Sequence, residues 1–117
     1  MNPNISTMRS DMDNFLAGWG ESCLRRRVAV SYGSDGQATE SWSASLSFTG
    51  DFQTLSGQEV EAEAGLEKHS EYKVQMVYDE DVVQHDRVER GGETFRVNRV
   101  ADYEDHRVAF VYREVNQ

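Results

Sequence analysis

Apolar and polar positions fall into two periods along this chain. Met8, Met12, Phe15, Leu16 and Trp19 recur every three or four residues, the spacing of one apolar helix face. Ser10 and Asp13 stand in a capping-box-like relation, and Gly18 and Gly20 supply a stop. The pattern predicts a helix of roughly 8–12 residues after a flexible arm over 1–6, too short to be stable alone. Met12, Phe15, Leu16 and Trp19 form its docking face, toward a sheet or a neighbouring subunit.

Beyond residue 23 the period changes to two. Leu24–Tyr32 reads as one strand with Val28, Val30 and Tyr32 on a face, and Gly33-Ser34-Asp35-Gly36 as a turn. In Ser41–Phe48 the residues Trp42, Ala44, Leu46 and Phe48 alternate with four serines, which predicts a half-buried antiparallel strand. Tyr72, Val74, Met76 and Tyr78 form another. The stretch Asp86–Val115 predicts consecutive antiparallel strands, with Gly91-Gly92 as a tight turn and the polar patch Asp102–His106 as a second one. The apolar parity slips after Val97, which predicts a β-bulge at Asn98-Arg99. Arg107–Arg113 is apolar on both faces and reads as a central strand, covered on its outer side by the N-terminal helix.

Between these runs the segment 49–71 has no sustained period, with Val60, Ala62 and Ala64 fitting either a short edge strand or a helical turn. It reads as one long acidic loop. From Asp51 to Asp81 nine acidic residues stand against two basic ones, a net −7 out of the chain's −9. Asp51, Glu59, Glu61, Glu63 and Glu67 are its candidate functional residues, because a long loop in a small domain is usually functional or mobile. The fold expected is mainly β: a small antiparallel barrel or sandwich of about five to seven strands with a short N-terminal helix. Residues 1–22 are arm and helix, and 23–117 one barrel domain.

Composition narrows the function. With 117 residues the chain suits one core. Its one proline, Pro3, leaves every later run free to pair. No apolar stretch approaches the roughly 20 residues of a membrane span, and the opening residues lack the order of a signal peptide, so synthesis in the cytoplasm is expected. A net charge of −9 opposes gripping nucleic acid, though an acidic wall lets DNA pass without sticking. The only basic run, Arg25-Arg26-Arg27, reads as a charged strand end or an intersubunit salt bridge.

Candidate chemistry is sparse. The single cysteine, Cys23, has no partner for an internal disulfide and reads as a small buried hydrophobe. His69, His85 and His106 sit among acids in or near turns, where His85 and His106 with Asp79, Asp81, Asp102 or Asp105 are the candidates for a cation. Their spacing matches no metal motif. No serine sits in a nucleophile elbow and there is no phosphate loop. Neither an enzyme nor a cofactor is expected.

The run Asp86-Arg87-Val88, Gly91-Gly92, Phe95–Val100, Asp102-Tyr103, His106–Arg113 resembles the C-terminal half of the head–tail joining proteins (head-closure or stopper proteins) of tailed bacteriophages. The likeness is best over Tyr72–Glu114 and architectural before it. It implies a virion neck subunit that forms a homo-oligomeric ring, usually a hexamer, beneath the portal and adaptor proteins. Such a ring closes the DNA-filled head and presents a docking surface to the tail terminator or tail-tube protein. Family members have no catalytic residues. In some the long loop points into the channel, which by position is Thr49–Ser70 here; DNA would pass without sequence-specific contact. The chain departs from the family in having no proline in that loop. Other readings compatible with the residues are a tail terminator or tail-tube-like protein, and a non-viral small barrel that binds a ligand in its mouth.

Overall fold

The computed structural model describes residues 5–43, 45–66 and 68–114, with side chains from Met8 onward. The order is α1 (Ile5–Trp19), β1 (Glu21–Arg26), β2 (Val28–Tyr32), β3 (Ala38–Trp42), β4 (Leu46–Thr54), α2 (Gly57–Ala62), β5 (Tyr72–Val77), β6 (Arg87–Arg90), β7 (Glu93–Asp102) and β8 (His106–Arg113). Six of the strands close an antiparallel barrel in the order β1-β4-β5-β8-β7-β6, with β6 pairing back onto β1. The remaining two, β2 and β3, pair only with each other. The mainly β fold, the barrel and the N-terminal helix expected from the sequence are all present.

Strand number and boundaries differ from expectation for one physical reason. Both Leu24–Tyr32 and Ser41–Phe48 are divided between two sheets, the first breaking at Arg27 and the second between the end of β3 at Trp42 and the start of β4 at Leu46; Ala44 of the expected alternation lies outside the described residues. Period-two alternation continues through each break, so it does not register that the chain leaves the barrel. Cys23 and Phe48 point into the core, whereas Trp42 lies outside it under the guanidinium groups of Arg87 and Arg96, at 4.0 and 4.9 Å. The extruded β2–β3 hairpin turns through Gly33–Gly36, where the Gly33 N–H donates to Gln37 O. Glu40 anchors its base to Arg96 at 3.0 Å.

The barrel is filled by Cys23, Phe48, Val74, Met76, Val82, Val88, Phe95, Val97, Ala109 and Val111. At one end Phe52, Tyr72 and Phe95 form a ring cluster with centroids 5.2–6.3 Å apart. Val82 closes the core from the loop between β5 and β6. Cys23 is buried as read, and burial is the main cause that pushes its thiol from 9.0 up to about 11. The turn at Gly91-Gly92 has positive φ at both residues, +54° and +84°, as a two-residue hairpin of the right twist requires. The bulge falls where the parity slip placed it, between Val97 and Arg99.

The helix α1 is longer than its apolar period indicates. It begins at Ile5, so Ser10 and Asp13 are interior rather than capping. Gly18 lies within it, and the chain turns at Gly20, whose N–H donates to Leu16 O at 2.8 Å. A Cβ at Gly20 would collide with the Thr49 methyl and the Leu16 carbonyl, so the strand can leave the helix this closely only through glycine. The helix rests against β4 and β5. It does not cover β8: Phe110, on the outer face of that strand, lies under the Arg99 guanidinium at 3.6 Å.

Candidate functional site

The acidic segment is not one loop. Strand β4 runs on to Thr54, and Ser56 then caps α2 with a complete capping box: the Glu59 N–H donates to Ser56 Oγ and the Ser56 N–H to Glu59 Oε1. Ser56-x-x-Glu59 is legible as that signature, and it settles the choice at Val60–Ala64 in favour of a helical turn.

The proposed acidic residues consequently have separate roles. Asp51 sits in β4 and accepts from Gln53 Nε2 at 2.6 Å. Glu59 also pairs with Lys73 at 3.0 Å, and its pKa is lowered chiefly by the Ser56 amide. Glu61 is exposed on α2. Glu63 is 1% exposed and accepts from the Ser70 amide and hydroxyl, each at 2.6 Å, and from Arg99 Nε at 2.8 Å. Burial alone would raise the Glu63 pKa, but the two Ser70 bonds and Arg99 outweigh it and the net shift is downward. Glu67 lies outside the described residues. A uniform acidic wall is therefore not what these residues build: Glu59 and Glu63 hold the segment onto the barrel through Lys73 and Arg99.

The docking face of α1 divides in two. Leu16 is buried, at 2% exposure, and Met12 is half-buried. Phe15 remains partly exposed and Trp19 is 75% exposed. The helix is fixed at its other flank by Arg9, stacked over Tyr78 at 3.5 Å and donating to Glu104 O. A second apolar surface lies on the hairpin, where Val30 and Tyr32 share a face with Trp42 but extend past the barrel; Tyr32 is 74% exposed.

The three arginines of the basic run form salt bridges within the chain. Arg26 meets Glu89 at 3.2 Å, Arg27 binds both Asp86 and Asp81, and Arg25 faces Asp81 at 3.7 Å. Sequence reasoning missed that Asp86 and Arg25 are buried. The available signal was parity, since Arg25 is two residues from the core residue Cys23 and must point the same way.

His85 occupies an exposed turn at φ +75°, its N–H donating to Val97 O. His106 contacts Asp105 at 2.7 Å and stacks on Tyr103, centroids 4.7 Å apart. Among the described residues no three His, Cys, Asp or Glu side chains are gathered as a metal ion needs. No described helix is long and apolar enough to cross a membrane.

No protein-family model matches the chain, and no curated protein is significantly similar to it. Among solved structures, one from Shigella flexneri 2a, determined in solution by a structural genomics consortium, is similar with a TM-score of 0.58. The match is 14% identical, covering 80% of this chain and 90% of that one. At that identity the similarity concerns the fold alone.

Proposed function

We propose that this chain is a structural subunit of a tailed-phage neck, forming a ring that closes the DNA-filled head and offers the tail its docking surface. The observation that carries the reading is the pair of exposed apolar surfaces outside a closed barrel: Phe15 and Trp19 on α1, Val30 and Tyr32 on the β2–β3 hairpin. A cyclic ring needs two unlike patches on each subunit, one meeting the other on the next copy. The resemblance over Tyr72–Glu114 gives the class of assembly, with portal or adaptor protein on one side and tail terminator or tail-tube protein on the other. The formal charge of −9 suits a channel that DNA traverses without adhering. Since α2 is capped and tied down at Glu59 and Glu63, retention of DNA by this segment would be steric.

Native mass spectrometry of the chain, alone and mixed with a portal–adaptor assembly, tests the proposal. A closed oligomer, formed alone or on the connector, is the expected result. A strict monomer without affinity for the connector overturns it.

A further inference from the structure

Strands β2 and β3 stand outside the closed barrel and pair only with each other, so each keeps one open edge. Their register fixes what that edge presents. The Ser43 N–H donates to Arg27 O and the Gly33 N–H to Gln37 O, both at 2.9 Å, and these two pairs bracket the ladder. Hydrogen-bonded pairs in an antiparallel ladder recur at every second residue, so Ala29 and Ser31 bond inward, to Ser41 and Thr39. Val28, Val30 and Tyr32 therefore turn their N–H and C=O groups outward, where none of the described residues meets them. Open edges are normally guarded by a lysine, a proline or a bulge. Strand β2 has none of these: Val28–Ser34 contains no charged residue and no proline, and β2 pairs with β3 without a register shift. Strand β3 is guarded. Glu40 stands at its centre, and Glu40 and Trp42 hold it to the barrel wall through Arg96 and Arg87.

We propose that the β2 edge takes a second copy of this chain: two β2 strands pair antiparallel about a two-fold axis at Val30 and join their hairpins into one four-stranded sheet. The strand is complementary to itself. Val30 meets its own counterpart, Val28 meets the second copy's Tyr32, and Ala29 meets the second copy's Ser31. Every outward N–H and C=O of Val28, Val30 and Tyr32 is then used, and their side chains form β-branched and aromatic cross-strand pairs on one face. Charge selects this occupant. At −9 the chain repels its own copy, so two copies meet where charge is lowest. Pairing β3 with β3 would set Glu40 against Glu40, and pairing β2 with β3 would set Val30 against Glu40. Pairing β2 with β2 opposes no charges. A two-fold contact uses the same patch on both copies and closes on itself, leaving only the guarded β3 edges outside. Five residues from each copy are far fewer than the roughly 20–30 a side of a stable interface, so the dimer is weak and concentration-dependent. The contact runs through the β2 backbone and leaves Phe15 and Trp19 free, so it does not rest on the proposed ring.

The test is amide hydrogen exchange of the full chain, read residue by residue by NMR, with sedimentation velocity on the same samples. Protein concentration runs from well below to well above the expected Kd, on the order of 100 μM. The amides of Val28, Val30 and Tyr32 should gain about tenfold protection as the dimer forms, whereas those of Ala29 and Ser31 are already protected by β3 at every concentration. Val30→Pro removes one outward N–H without touching the β2–β3 ladder, and should abolish the dimer. Val30→Cys should cross-link to its counterpart on oxidation, since opposed Cα atoms lie about 5.5 Å apart, while Ala38→Cys on the β3 edge should not. Cys23 is buried and does not compete. Trp19→Ser, which removes the α1 patch of the proposed ring, should leave the dimer unchanged. A monomer at every concentration, equal protection gained along all of β2, a dimer that survives Val30→Pro, or equal cross-linking from Ala38→Cys overturns the proposal. A dimer lost in Trp19→Ser would place the contact on α1 and overturns it too. Should Val30→Pro fail to fold, the comparison of Val30→Cys with Ala38→Cys decides.

Discussion

Arg27 grips Asp86 with two parallel bonds, Nε to Oδ1 at 3.0 Å and Nη2 to Oδ2 at 2.9 Å, across 59 residues of sequence. The aspartate is 1% exposed and also accepts from the Val83 amide. This pair sits where the chain leaves the barrel at Arg27, and so fixes the root of the hairpin to the loop that bears Val82. Asp86→Ala would leave Arg27 with only Asp81 and orphan the Val83 amide. Breaking a buried pair costs about 3–5 kcal/mol, and because Arg27 is partly exposed the lower end is expected. Asp86→Asn, which keeps an acceptor for the amide, should lose less. Urea unfolding measures both. A loss under about 1 kcal/mol would class the pair with surface ion pairs and sink the argument.

The barrel was legible because its strands obey local rules. Tyr72–Val77 alternates cleanly, Gly91-Gly92 can hardly be anything but a turn, and the parity slip at Asn98 marks its own bulge. What was hidden depends on distant partners. Nothing near Trp42 tells that it packs on Arg87 and Arg96 rather than in the core. Likewise Glu63 looks like any acid in an acidic run, and only Ser70 and Arg99, the latter 36 residues on, account for its burial. Two of the five candidate acids, Glu59 and Glu63, are taken up in tying the segment to the barrel for that reason. Charge in a sequence counts residues, whereas function depends on which of them remain unpaired.

Glu63 makes stability depend on pH with a definite sign. Its folded pKa lies below the ordinary glutamate value of 4.5, so the ionised form stabilises the fold. That contribution is fully present above the ordinary value and disappears as pH falls through the lower folded value. Glu80 acts in the opposite direction: its raised pKa gives stability that is present at acid pH and lost as pH rises through the folded value. Comparing unfolding of the wild type with Glu63→Gln isolates the first effect. The difference should be widest near neutral pH and shrink once the medium is more acidic than about 4. A difference independent of pH would mean that the Glu63 charge does not matter.

The Gly91-Gly92 turn sets the register between β6 and β7, pairing Arg90 with Glu93 and Val88 with Phe95. With φ at +84°, Gly92→Ala should cost about 1–2 kcal/mol from the left-handed backbone alone, since a Cβ there meets nothing within 4 Å. Gly91→Asn, at φ +54°, should cost less, because asparagine tolerates that region. Thermal unfolding of the two variants checks the order. Equal losses would point to a steric cause instead of a conformational one.

Leu16 and Trp19 lie on the same helix and separate folding from assembly. Leu16 is buried where α1 meets the barrel, so Leu16→Ala should cost about 2–5 kcal/mol or detach the helix. Trp19 projects into solvent, and Trp19→Ser should change monomer stability by no more than about 0.5 kcal/mol. If the exposed flank of α1 is an assembly surface, Trp19→Ser will nevertheless reduce oligomer formation, and Phe15→Ser will add to the effect. Tyr32→Ser on the hairpin should do the same from the opposite side of the contact, again at little cost to the fold. Sedimentation velocity and urea unfolding on one set of variants read both quantities. Assembly that survives loss of Phe15, Trp19 and Tyr32 together would remove the apolar surfaces from the ring interface and, with them, the main support for a neck subunit.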